Sequence, residues 1–365
     1  MSNPYKHLCG TVFAALAAGT GGLSHAADVT LYGRLDTALQ YLDASGTPIT
    51  KSLMGLTEAG QAGSRFGLRG REELSSDVSA IFTLEQGFNI DTGVQGDTAR
   101  GAFNRQSYLG LSDRKLGTVT LGRQYNSTFD LIGTFSAFGN AFGLASQNVV
   151  FSNSFVRYDK SVKYTLPKNA WGVQGNAMYS NNANLEGLGI KSTAISASTM
   201  VDFTPISVIL GYDRAGVTRG LSGGPGGTIA SYLAGVRWKS NFGLEAALIY
   251  GQDHNGRIGA GATGVSQFGA GTPMPNATYD DRFKATNWLL GLKYVAGAGT
   301  AMLSYSSSSP DGINGLGRQQ IAAVGYRYDL SKRTNVFATF AYARNANYVA
   351  DADIKQVRLG IAHLF

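Results

Sequence analysis

The stretch VTLYGRLDTALQY, residues 29–41, decides the reading of the whole chain. Val29, Leu31, Gly33, Leu35, Thr37, Leu39 and Tyr41 fall on one side of an extended segment. Thr30, Tyr32, Arg34, Asp36 and Gln40 fall on the other. Alternation of period 2 over about ten residues is a strand with two unlike faces, because successive side chains of a strand point to opposite sides. The chain closes in the same way. Val357, Leu359, Ile361, His363 and Phe365 share one face, and Gln356, Arg358 and Gly360 the other. Ala322, Val324, Tyr326, Tyr328 and Leu330 stand likewise against Gly325, Arg327 and Asp329.

Working outward from these strands gives sixteen, beginning near Asp28, Ser64, Val78, Phe103, Gly117, Phe155, Trp171, Thr193, Ile206, Ile229, Phe242, Ala285, Gly299, Gln319, Thr334 and Lys355. Short connections are read at 75–77, 112–116, 167–170, 204–205, 240–241, 296–298 and 331–333. Long ones are read at 43–63, 89–102, 126–154, 181–192, 216–228, 252–284, 308–318 and 345–354. Short and long alternate strictly, so the strands are antiparallel and both termini lie on the side of the short turns. Even strand number, strands of about ten residues, one apolar face and one polar face describe a transmembrane β-barrel. The predicted fold is therefore all-β, a 16-stranded antiparallel transmembrane β-barrel. A barrel of that size leaves an aqueous channel, whereas one of about eight strands fills with its own side chains.

Composition excludes the alternatives. Only 15 % of the 365 residues are charged and 11 % are aromatic, so the chain is too poor in charge and too rich in rings for disorder. A soluble β-sandwich would need a polar exterior that this charge content does not supply. Beyond the N-terminus no apolar run approaches the roughly 18 residues of a spanning helix. Residues 1–26 read as a secretory signal peptide: Lys6 is the positive start, 8–23 the apolar run, and Ser24-His25-Ala26 the small-residue cleavage site. Residues 27–365 then form the barrel domain. The one cysteine, Cys9, falls in the signal, so the exported chain relies on backbone pairing rather than disulfides.

Six motifs in order, together with the terminal Phe365, resemble the general diffusion porins of Gram-negative outer membranes, most closely the betaproteobacterial type. They are VTLYGRLDTALQY at Val29, SRFGLRGREEL at Ser64, NRQSYLGLSD at Asn104, LGTVTLGRQY at Leu116, VRYDKSVKYTLP at Val156 and the ending LGIAHLF. The resemblance implies an outer-membrane channel for small hydrophilic solutes and ions, not an enzyme. It implies a homotrimer in contact with lipopolysaccharide and outer-membrane lipid, and a terminal Phe365 that the barrel-assembly machinery reads. It also implies a third long loop folded into the pore, faced by a ladder of basic side chains. Carried over motif by motif, the pore constriction comprises Arg34, Arg65, Arg105 and Arg157, with Arg69 and Arg123 nearby. On the loop, the expected constriction residues are Asp130, Phe135, Phe138, Asn140 and Phe142.

The loop departs from that family pattern. Beyond Asp130, residues 131–155 contain no Asp or Glu. Glu85, Asp36 and Asp159 remain as acids able to reach the lumen, and the expectation is an under-compensated basic wall with moderate preference for small anions. The aromatic residues Phe135, Phe138, Phe142 and Phe151 leave open a second reading, a greasy track in a substrate-selective channel. Other signals are set aside. Gly259, Gly261 and Gly264 match G-x-G-x-x-G, but in the longest loop, with neither a strand before nor a helix after. His254 and His363, the only histidines after residue 26, are too far apart in sequence to suggest a metal site. Glu72-Glu73 and Asp280-Asp281 are read as solvated pairs, the latter also as a divalent-cation contact with lipopolysaccharide. A formal charge of +7 without a basic run does not indicate nucleic acid. No cofactor is expected. An outer-membrane hydrolase lacks a histidine placed beside a serine, and an adhesin or phage receptor could act through 252–284.

Overall fold

The computed structural model describes residues 28–46, 51–57, 59–96, 100–151, 156–167, 172–184, 191–219, 225–258 and 278–365. The predicted signal peptide and Cys9 lie outside them, as do Gly259, Gly261 and Gly264.

The strands in the first half are β1 (Asp28–Ser45), β2 (Lys51–Thr57), β3 (Arg65–Glu73), β4 (Val78–Gly87), β5 (Gln106–Asp113), β6 (Gly117–Tyr125), β7 (Arg157–Thr165), β8 (Val173–Asn184) and β9 (Lys191–Phe203). Those in the second are β10 (Ile206–Arg219), β11 (Pro225–Lys239), β12 (Leu244–His254), the two-residue β13 (Arg257–Ile258) and β14 (Thr278–Tyr279), β15 (Lys284–Ala296), β16 (Gly299–Asp311), β17 (Gln319–Asp329), β18 (Thr334–Arg344) and β19 (Asp353–Leu364). Seventeen of them form one sheet in which sequential strands are neighbours. β2 and β3 both pair with β1, β2 along its second half and β3 along its first, so together they occupy one strand position. Seventeen less one gives sixteen antiparallel positions, and the last strand returns to the first: β19 pairs with β1 from Arg34↔Leu364 to Ser45↔Asp353. The sheet is a closed barrel.

Closure leaves the side chains in two populations. The face turned away from the interior carries exposed apolar side chains on strand after strand, among them Leu31 (59 %), Leu109 (61 %) and Leu210 (54 %). A water-soluble surface does not carry so much contiguous apolar area, and lipid does not penalise it. Rings on the outward face mark two levels. Trp238, Phe242, Tyr294 and Tyr328 lie near the short turns. Tyr212 with Tyr232 (5.1 Å) and Tyr250 with Trp288 (4.5 Å) lie higher on their strands. This is the arrangement of interfacial aromatic girdles.

The structure departs from the sequence reading at the long-connection end. β1 continues to Ser45 and β2 occupies 51–57, where a single connection over 43–63 is expected. β10 runs to Arg219 and β11 starts at Pro225, which shortens the connection expected at 216–228. In these extensions Gly, Ser and Thr interrupt the apolar alternation on which period-2 reading depends.

The seam between first and last strands rests on a glycine. Gly33 N donates to the carbonyl of Phe365 (3.0 Å), and Phe365 N donates to that of Gly33 (3.2 Å). A Cβ on Gly33 would stand 2.2 Å from Cζ of the Phe365 ring. Gly33→Val should therefore force the ring off the seam at a cost of about 1–3 kcal/mol, the usual range for overpacking. The expected result is a lower urea midpoint for loss of the heat-modifiable electrophoretic form, with less of the chain reaching that form.

Candidate functional site

Basic side chains from β1, β3, β6, β7 and the residue before β5, Arg105, converge on one arc of the inner wall. β3 shows the local reason. Phe66 and Leu68 are exposed outward, so Arg65 and Arg69 take the inward row. The register sets Arg34 directly opposite Arg65. Two guanidinium groups facing each other across a ladder repel, and buried carboxylates offset this. Asp36 takes Arg34, with Nη2 at 2.7 Å and Nε at 2.9 Å. Glu85 accepts from Arg105 Nε at 2.7 Å, lies 3.5 Å from Arg65 Nε, and accepts from the Tyr32 hydroxyl at 3.1 Å. Arg69 lies over the Tyr32 ring, 5.3 Å from its centroid.

Tyr125 joins this group to the next strand. Its hydroxyl accepts from Arg105 Nη2 (2.7 Å) and Arg157 Nη2 (2.8 Å), and Arg157 also lies over its ring at 4.4 Å. The same ring stacks on Phe129 at 5.1 Å. Arg123 belongs to a second cluster, in which Asp159 accepts from Arg123 Nη1 at 2.6 Å and from Arg100 Nη1 at 2.7 Å. Thus Arg65, Arg69, Arg105 and Arg157 share one network, Arg34 adjoins it across the register, and Arg123 stands apart with Arg100.

Two expectations change. Asp36, Glu85 and Asp159 are each bound to arginine, so the wall is more compensated than the sequence suggests. Asp36 is fully buried and does not present its charge to the lumen. Tyr125 and Arg100, which the sequence reading does not single out, join these clusters, and Glu85, read from sequence only as an acid able to reach the lumen, sits between two arginines. Only the register, which no motif encodes, places it there.

Residues 126–151 lie across from this wall. Asn126 caps the short helix α1 (Ser127–Ile132), its side chain accepting from Phe129 N at 2.7 Å. Ser127 N donates to Ser196 Oγ at 2.9 Å and fixes the helix to β9. Lys163 pairs with Asp130 and also donates to the Tyr125 carbonyl at 3.1 Å. Further on, Arg237 of β11 lies over the Phe135 ring at 4.6 Å and donates to the Thr134 carbonyl at 2.7 Å. Phe142 packs edge-on against Phe337 of β18 at 5.5 Å. Leu144 N donates to Gln356 of β19 at 3.1 Å, and Gln319 of β17 donates to the Val149 carbonyl at 2.8 Å. All of these wall residues lie opposite the exposed apolar face.

Glycines in the inward rows let the segment press close. A Cβ on Gly325 would stand 2.7 Å from the Phe138 ring, one on Gly251 2.8 Å from Phe151, and one on Gly291 3.1 Å from Ala137 N. Phe135, Phe138, Phe142 and Phe151 are all buried in this contact. They anchor the segment to the wall, and the greasy-track reading loses its aromatic surface. Asn140 holds the segment together, donating to the Phe129 carbonyl at 3.1 Å and accepting from Gln147.

The Gram-negative porin family matches residues 12–348. The chain belongs to the Gram-negative porin family. An outer membrane porin protein of Bordetella pertussis is 32 % identical, covering 96 % of this chain and 98 % of the relative. Outer membrane porin protein 32 of Delftia acidovorans is 27 % identical over 91 % and 88 %. Among solved structures, an anion-selective porin from Comamonas acidovorans superposes with a TM-score of 0.71 at 21 % identity, covering 93 % of this chain and all of that one. OmpT, an outer membrane protein of Vibrio cholerae solved in a trimer form, superposes at 0.64 with 15 % identity, again over 93 % of this chain and 100 % of that one. The porin resides in the Gram-negative outer membrane and forms a channel there; it is not an enzyme.

Two further residues that the sequence singled out have ordinary partners. His363 shares a hydrogen bond with Thr334 Oγ1 at 2.9 Å. Asp280 is held by Arg282, whose side chain donates at 2.9 and 3.1 Å. That guanidinium and the backbone N–H of Arg282 keep the Asp280 carboxyl below its usual range.

The anchoring contacts predict a loop-mobility phenotype. Phe138→Ala removes a ring buried against β17, a class of change worth about 3–5 kcal/mol, and Gly325→Val pushes the same ring away from the other side. In planar bilayers both should show greater open-channel noise and higher conductance than wild type. The reversal potential should not move, because neither substitution alters a charge.

Proposed function

We propose that the porin passes small hydrophilic solutes and ions by passive diffusion, with moderate preference for anions set where its arginine wall faces segment 126–151. Arg34, Arg65, Arg69, Arg105, Arg123 and Arg157 form the charged side of this constriction, and Asp130, Phe135, Phe138, Asn140 and Phe142 shape the loop side. One observation carries the reading: of seven guanidinium groups on this wall, these six and Arg100, five meet only three carboxylates, Asp36, Glu85 and Asp159, and two, Arg69 and Arg157, lie on tyrosine rings, leaving an excess of four positive charges. Residues 131–155 contribute no carboxylate to offset it.

One charge at about 10 Å in water is worth roughly 0.4 kcal/mol, so an excess of four gives about 1–2 kcal/mol before screening. Since each 1.4 kcal/mol is a factor of ten, anion preference should reach up to about tenfold at low salt. It should decline as the Debye length shrinks from about 30 Å at 0.01 M to about 10 Å at 0.1 M. The description of the Comamonas acidovorans neighbour as anion-selective supports the same sign.

The proposal extends to assembly. Residues 1–26 act as a cleaved signal peptide, and Phe365, which ends the closing strand, serves as the terminus that the assembly machinery reads. A homotrimer seats through the outer faces of the first and last strands, where Met54 (81 %) and Leu56 (63 %) stand exposed beside the seam. Lipopolysaccharide meets the rim of long connections.

Reversal potentials under a salt gradient test the charge assignment. Arg65→Ser combined with Arg105→Ser should move the reversal potential toward cations. Glu85→Gln, which strips both arginines of their shared counter-charge, should move it further toward anions. Wild-type values in both cases would remove the arginine wall from the mechanism.

A further inference from the structure

The second barrel strand is broken, and the break does not loop outward. β2 pairs with β1 down to Ala38↔Thr57, and β3 resumes at Arg34↔Arg65. The three β1 residues between these pairs, 35–37, are therefore opposed by seven, 58–64. The excess chain turns into the lumen. Gly60 lies against the Phe337 ring, where a Cβ would stand 2.5 Å from Cζ, and against Asp36 and Ala38. The carbonyls of Ala59 and Gly60 each accept from Arg358 Nη1 at 3.2 Å. Gln61 donates to Asn335. These partners belong to the inward rows of β1, β18 and β19, so the segment crosses the inner wall by three strands.

Asp36 holds it there. One carboxylate oxygen accepts from Gly60 N (3.0 Å) and Gln61 N (2.9 Å), and the other from Ala62 N (3.0 Å) and from Arg34. Successive backbone N–H groups turned toward one anion form a nest. Ser64 replaces the ladder partner that Asp36 loses at the break: its hydroxyl accepts from Asp36 N at 3.0 Å and donates to the Asp36 carbonyl at 3.2 Å. The segment touches both halves of the waist. Phe142 N, at the far reach of segment 126–151, donates to the Gln61 carbonyl at 2.7 Å. At the other end, the Gly63 carbonyl accepts from Arg65 Nη1 at 3.2 Å, and Gln61 accepts from Arg34 Nη2 at 2.8 Å.

We propose that residues 59–64 are a second inward-folded element of the pore waist, bridging the loop tip and the arginine wall, and that Asp36 is the positioning residue that holds it and thereby sets the channel's size limit. The proposal rests on the diffusion-channel reading above. It assigns Asp36 to width, where the sequence suggested a lumen charge.

The experiment measures swelling of proteoliposomes in uncharged mono-, di- and trisaccharides, with reversal potential recorded alongside, on barrels whose folding is confirmed by heat-modifiable mobility. Gly60→Val drives the segment off Phe337 and Asp36 without changing charge. It should lose the discrimination between small and larger sugars while the reversal potential stays at the wild-type value. Asp36→Asn should lose the same discrimination and also move the reversal potential toward anions, because Arg34 loses its counter-charge. If either chain fails to fold, Gln61→Ala keeps the clamp and sheds only the bonds to Arg34 and Asn335; it should weaken the size limit in the same direction. Folded variants that keep the wild-type cut-off overturn the proposal. A wild-type protein impermeable to every sugar would instead overturn the diffusion channel itself, so the two failures are distinguishable.

Discussion

Hydrocarbon offers no hydrogen bonds, and a backbone that crosses it must pair every N–H and C=O within the protein. A sheet meets that demand only by returning to its first strand. The rest of this structure follows from the return. Because the closing pair is antiparallel, the number of strand positions is even and both ends of the barrel lie on the side of the short turns, and Phe365 pairs with Gly33. Closure also encloses a volume too wide for wall side chains alone to fill. Residues 126–151 and 59–64 both make contacts with side chains of the inward rows.

An interior that is wet and lined with arginine poses a second problem. The register puts Arg34 opposite Arg65, and Arg105 and Arg157 reach the same phenol. Left alone, such a cluster would repel itself. Three acids and two tyrosines lower that cost without cancelling the charge. Glu85 serves two guanidinium groups at once, Tyr125 accepts from two, and the faces of Tyr32 and Tyr125 each receive one by cation–π contact. Asp36 shows the complementary case. A buried carboxylate costs several kcal/mol unless its lone pairs are satisfied, and here three backbone N–H groups and Arg34 satisfy them. The acid that neutralises an arginine also folds a length of backbone.

The sequence makes the strands legible because each apolar side chain that faces lipid alternates with one that faces water, as in residues 29–41 and 356–365. For the same reason it reveals Arg34, Arg65 and Arg69 as inward. It is silent on partners, because a partner sits on another strand and a one-residue slip in register would exchange the faces. Glu85 lies twenty residues from Arg65 and from Arg105, and nothing local ties them. Arg123 and Arg157 lie where the β6–β7 ladder changes register between Gly122 and Gln124, so alternation counted along either strand does not carry across. The inward segment is hidden differently. KSLMGLT carries Gly and Ser and reads as loop, and only its pairing with residues 38–44 reveals a strand and therefore a break after it.

The glycine content, 49 residues, has a physical meaning that composition alone does not give. In a barrel with an empty lumen, inward glycine would only weaken a strand. Gly211, Gly251, Gly291 and Gly325 stand on the inward rows of β10, β12, β15 and β17, and each meets a different residue of the loop: Thr128, Phe151, Ala137 and Phe138. A wall built with side chains at those positions would hold the loop off by the width of a methyl group or more and give up its dispersion contacts. The loop and the wall are thus shaped for each other, bulk on one meeting its absence on the other. That fit, made over several strands at once, holds an irregular segment close against the wall.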